Sequence, residues 1–68
     1  MKLLDVVALV QDLPDRQLYK GQVGTIIEEL DKHTALVEFA ELNGVAYAIQ
    51  PIHHDLLMQL YHAPKLAA

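Results

Sequence analysis

Apolar and polar residues alternate along much of this chain with the two-residue period of half-buried strands. The run Val23-Gly24-Thr25-Ile26-Ile27-Glu28-Glu29-Leu30 is answered by Ala35-Leu36-Val37-Glu38-Phe39-Ala40, and polar Asp31-Lys32-His33 joins them. β-branched runs on either side of such a junction predict a β-hairpin. In the second run the alternation puts Val37 and Phe39 on one face and Leu36 and Glu38 on the other. Gly21 and Gly24 open the first run. Gly21 suits a turn, and Gly24 inside a strand predicts a bulge, a sharp bend or the close approach of another backbone.

Leu4-Asp5-Val6-Val7-Ala8-Leu9-Val10 predicts an earlier strand. Residues 11–20 are polar and hold Asp12 and the Pro14-Asp15 pair, so they form a long loop. Asn43-Gly44 is a strong hairpin-turn signal, because both residues tolerate positive φ. Residues 45–49 alternate large and small, which places Val45, Tyr47 and Ile49 on one face of a fourth strand that Pro51 ends. Ile52-His53-His54-Asp55 is short enough for a single 3₁₀ turn, and residues 56–61 make the last strand. Leu, Met and Gln also permit a short helix over residues 54–62, but its length and the preceding turn favour the strand. The elements add up to an all-β fold, a small SH3-like barrel of about five strands with a 3₁₀ turn before the last. Alternation within each strand assigns the core to Val6, Ala8, Val23, Ile26, Val37, Phe39, Tyr47, Ile49, Leu57 and Leu60.

With 68 residues the chain is one domain, a size at which only about 60% of the unfolded surface is buried. It contains no Cys, so neither disulfides nor thiolate metal sites can staple it. Yet 53% of its residues are hydrophobic, more than one small core can hide. The excess predicts an apolar interface, formed by self-association or with a protein partner. The net charge of −4 repels phosphate backbones and argues against sequence-independent nucleic-acid binding. An acidic residue at position 5 comes too early for a signal-peptide core, and no apolar run approaches the ~20 residues that span a bilayer, so a cytoplasmic location is expected. The last four residues, Lys65-Leu66-Ala67-Ala68, resemble a vector-derived linker before an affinity tag. The natural domain is therefore taken as residues 1–64, with 65–68 as a vector-derived tail.

Gly21-Gln22-Val23-Gly24-Thr25-Ile26 followed by Val37-Glu38-Phe39 resembles the motif of KOW-type and other SH3-like modules. With Leu4-Asp5-Val6-Val7-Ala8-Leu9 and Asp12-Leu13-Pro14 added, the chain is similar, over residues 1–60, to a family of short bacterial proteins. That family is frequent in cyanobacteria and is catalogued only as a domain of unknown function. Its members often sit beside toxin-like genes, and the resemblance therefore implies a small binding or neutralising partner.

No constellation here points to catalysis. His53-His54-Asp55 is the most ligand-like cluster, since imidazole and carboxylate suit Zn²⁺ or Ni²⁺. Neighbours in a turn point apart, however, so no metal is expected and Asp55 is read as a cap on backbone N–H groups. Glu28, Glu29 and Glu38 place carboxylates on paired strands, where an acidic surface facing solvent or a partner is favoured over acid–base chemistry. The chain has no Ser and no Cys, which leaves almost no nucleophile. Gly21 and Gly24 lead into a strand rather than a helix, so they are structural and not a phosphate loop. Asn43 and Gly44 are likewise structural turn residues. Arg16, Tyr19 and Lys20 form one basic–aromatic patch, too small to outweigh the net acidity.

The expectation is a non-enzymatic protein–protein interaction module without cofactor, membrane or small-molecule substrate. Its most specific form is an antitoxin- or immunity-type partner of a basic toxin-like protein. The partner-binding candidates are Tyr19, Glu28, Glu29, Glu38, Glu41 and Tyr61. The alternatives are a KOW- or Tudor-like nucleic-acid-binding module and an accessory subunit of a larger complex.

Overall fold

The computed structural model describes residues 1–40 and 47–60. The expectations for Glu41, Asn43, Gly44, Val45, Tyr61, the tail 65–68 and the side chain of Tyr47 lie outside the described residues. Five strands form one antiparallel sheet: β1 (Val6–Leu9), β2 (Val23–Glu29), β3 (Thr34–Ala40), β4 (Tyr47–His53) and β5 (Leu57–Gln59). Their order is β4-β3-β2-β1-β5, so the chain's first and last strands pair with each other. A 3₁₀ turn, His54–Leu56, leads directly into β5. This is the all-β, SH3-like arrangement that the sequence predicts. The helix considered over residues 54–62 is replaced by that turn and β5 across the described positions.

The register puts Val7 opposite Gly24, Gly24 opposite Phe39, and Ile26 opposite Val37. These residues line the interior together with Leu9, Leu18, Ala35, Ile52 and Leu57. Gly24 is buried, and its role is close approach rather than a bulge. A Cβ at position 24 would lie 2.7 Å from Val37 Cγ1, 2.8 Å from the Glu38 carbonyl oxygen and 2.9 Å from Phe39 Cδ1. The bulge falls later, between Ile26 and Glu28, where the β2–β3 register shifts. Gly21 serves differently: its φ of +88° is a conformation that L side chains rarely adopt, and its N–H donates to the Leu9 carbonyl.

Ala8, Ile26, Val37, Phe39 and Leu57 are buried as expected. Val6, Val23, Ile49 and Leu60 are not; they are 41%, 47%, 47% and 37% exposed. The reason is parity. β1 is apolar at every position, so alternation cannot orient it, and the pairing with Gly24 turns Val7 and Leu9 inward. In β4, Pro51 lies within the strand instead of ending it. β4 stands at the end of the strand order, where a residue without an N–H is tolerated, and the Pro51 carbonyl accepts from Arg16 Nη1 at 2.6 Å. With β4 continuing to His53, Ala48 pairs with Phe39 and Ile52 with Ala35, and Ile49 takes the outer face.

The loop from β1 to β2 is more structured than a polar linker. Leu13 and Leu18 form an isolated bridge around a 3₁₀ turn, Pro14–Arg16, and Leu18 is buried in the core. The β2–β3 hairpin closes through Asp31, whose Oδ1 accepts from the His33 N–H at 2.7 Å. That backbone bond, with smaller contributions from the Thr34 N–H and hydroxyl and from the His33 charge, holds the Asp31 carboxyl below its ordinary value of 3.8.

Three outcomes follow from this packing. Phe39→Ala should cost about 3–5 kcal/mol, comparable with the whole stability of so small a domain; a loss below about 1 kcal/mol in denaturant unfolding would contradict its core placement. Gly24→Ala should cost about 1–3 kcal/mol by overpacking, and a Gly24→Ala protein of unchanged unfolding midpoint would refute the close approach. Because the folded value of Asp31 is depressed, its contribution is present above the ordinary Asp range and is lost as pH falls through the folded value. Titration by NMR should therefore give Asp31 a midpoint below 3.8, and a midpoint at or above that value would contradict the turn's geometry.

Candidate interaction surface

Because Val7 and Leu9 face inward, the alternate residues of β1 face out. Val6 lies opposite Thr25 of β2, and the Leu60 N–H donates to the Val6 carbonyl at 2.9 Å. Ala8 lies between Val23 of β2 and Met58 of β5. Val6, Val23, Met58 and Leu60 are all exposed, whereas Ala8 is buried but stands outside the core cluster. Its small side chain is shielded by longer neighbours on either side. The exterior of β2, β1 and β5 is thus a continuous apolar surface with a low centre at Ala8. Thr25 is its polar member.

On the β3 side the character changes. Thr25 pairs with Glu38, which pairs with Ile49, so one row across the sheet reads Ile49, Glu38, Thr25, Val6 and Leu60. Leu36 shares the face of Glu38, and Glu28 is opposite Leu36. Glu28 and Glu38 therefore flank the apolar surface on one face. Glu29 is separated from them: it pairs with Ala35, and its Oε1 lies 4.0 Å from His54 Nε2. Tyr19 is exposed but sits in the β1–β2 loop, where its N–H donates to Gln22 Oε1. Of the expected partner-binding residues that are described, the fold brings together Glu28 and Glu38 and sets Glu29 and Tyr19 apart.

In the basic–aromatic patch, the guanidinium of Arg16 donates to the Pro51 carbonyl at 2.6 Å, and the backbone N–H of Lys20 donates to Asp12 Oδ1 at 2.8 Å. None of Lys2, Arg16, Lys20 and Lys32 lies in a strand, whereas Glu28, Glu29 and Glu38 do. The charge carried by the strands is therefore acidic.

The histidines gather at the β2–β3 hairpin end. His33 and His53 stack with ring centroids 5.8 Å apart and planes 1° from parallel. His53 Nδ1 accepts from the Asp55 N–H at 3.1 Å, which caps the 3₁₀ turn, and lies 3.6 Å from Asp55 Oδ2. The cap on this turn is thus the imidazole, with Asp55 as backbone donor. His54 turns instead towards Glu29. The trio His53, His54 and Asp55 does not converge on one point, and among the described residues no group of three or more His, Cys, Asp or Glu is placed to hold a metal ion. Among the same residues no polar or charged residue is buried, and no helix is long and apolar enough to cross a membrane.

Sequence alternation missed the apolar exterior. Its signal was the uninterrupted Val6-Val7-Ala8-Leu9, since a strand apolar at both parities is covered or available on both faces. A second unusual feature lies at the N-terminal turn, where Leu4 has φ +71° and is exposed, an uncommon state for a bulky residue.

No curated protein and no solved structure matches this chain. A family model described as "Domain of unknown function (DUF4926)" matches residues 3–59, from the N-terminal turn to the end of β5. The match spans every strand that builds the apolar exterior, and the chain belongs to that family.

Proposed function

We propose that this protein is a non-enzymatic, acidic protein-interaction module of the cytoplasm, in its most specific form an antitoxin- or immunity-type partner of a basic protein. The observation that carries this reading is the exposed apolar exterior of β2, β1 and β5, bordered by Glu28 and Glu38. Apolar side chains left in water on one contiguous face gain free energy when a partner covers them. Carboxylates beside them steer a cationic partner and fix its register.

A KOW-like nucleic-acid reading requires a cationic face. Arg16 is bonded to β4, and the sheet exterior offers carboxylates where phosphates would need Lys or Arg. The experiment is a titration with RNA and DNA at low salt, alongside native mass measurement and partner recovery from the source cell. The expected result is no nucleic-acid binding at micromolar concentration and a discrete protein complex whose association slows as salt rises. Micromolar nucleic-acid binding by a monomer that recovers no protein would replace this reading with the KOW-like one.

A further inference from the structure

We infer that the β2–β1–β5 exterior docks a cationic amphipathic segment of a partner protein, with an apolar side chain seated over Ala8 and a Lys or Arg meeting Glu38 and Glu28. This rests on the interaction reading above and adds the occupant and its position.

Three observations fix the occupant. The first is shape. Ala8 lies between Val23 and Met58 across the sheet, so the shortest side chain of the surface is flanked by long ones. A protruding apolar side chain can lie over buried Ala8 against the exposed side chains of Val23 and Met58. The second is the charge next to it. Glu38 is two strands from β1, about 10 Å at the usual strand spacing, and Glu28 follows on the same face. The third is the placement of the basic residues: Lys2, Arg16, Lys20 and Lys32 all lie outside the strands.

This arrangement discriminates among occupants. A second copy of the chain would offer its own apolar surface but no strand cation for Glu38, and each copy carries a net charge of −4. An acidic segment would set carboxylates against carboxylates. A purely apolar segment would leave the two glutamates without partners at the interface rim. A segment combining both features satisfies the whole surface.

The test uses two short synthetic peptides, one alternating leucine with lysine and one alternating leucine with glutamate. Each is titrated into the full chain while methyl and amide NMR signals are followed. The lysine peptide should shift the methyl signals of Val6, Val23, Met58 and Leu60, and the glutamate peptide should not. Val23→Thr with Met58→Gln, both exposed and conservative for a strand, should weaken binding about tenfold, or about 1.4 kcal/mol. Glu28→Gln with Glu38→Gln should weaken it several-fold at low salt and flatten its salt dependence. Mapping on the unaltered protein keeps the test valid if a variant folds poorly. Equal binding of the two peptides, or binding of neither, overturns the cationic occupant. Shifts confined to the β1–β2 loop or β4 overturn this face while the interaction reading stands. Concentration-dependent dimerisation through the same methyl groups overturns the partner in favour of a second copy.

Discussion

The approach of β2 to β3 at Gly24 is the constraint from which the rest of the structure follows. The backbone of β2 comes so near Val37, Glu38 and Phe39 that no Cβ fits between them. Phe39 can then lie over the glycine and fill the interior, and Val7, opposite Gly24 on the other side, is drawn onto the same inward row. That single parity choice decides the faces of β1. Once Val7 and Leu9 are inside, Val6 and Ala8 take the other face of β1, with Val6 exposed and Ala8 buried beside Val23 and Met58. Core and candidate docking surface are two sides of one register.

A small barrel has little interior, and this chain spends its hydrophobic excess on the outside. Half-exposed Val6, Val23, Met58 and Leu60 contribute less to folding than buried apolar residues would. Exposed apolar rows also threaten edge and face aggregation, which natural sheets counter with charge and with breaks at their edges. Here Pro51 and the Arg16 guanidinium blunt β4, and the strands carry only acidic charge. Such devices oppose edge-to-edge pairing of like molecules.

Much of the fold was readable from residue pattern. Strand alternation around Ile26, Val37 and Phe39, the Asp31 turn and the 3₁₀ turn before β5 each follow from local chemistry that tertiary contacts reinforce. What stayed hidden depended on non-local pairing. Val6-Val7-Ala8-Leu9 has no polar residue to mark its outward face, so only the contact with Gly24 reveals it. Pro51 reads as a strand terminator unless β4 is known to lie at the edge. Leu18 reads as loop until its bridge to Leu13 folds it into the core. For the candidate site, carboxylates at Glu28, Glu29 and Glu38 were legible on adjoining strands. Which of Glu28 and Glu29 shares the face of Glu38 was set by the bulge after Ile26.

The most direct measurement is site-specific photo-crosslinking in the source cell, with a photoreactive residue placed in turn at Met58, Val23, Gln11 and Asp15. The account predicts that positions 58 and 23 capture the same discrete, basic protein while positions 11 and 15, in the β1–β2 loop, do not. Capture that is strongest at 11 or 15, or crosslinks at 58 that join two copies of this chain or reach nucleic acid, would contradict it.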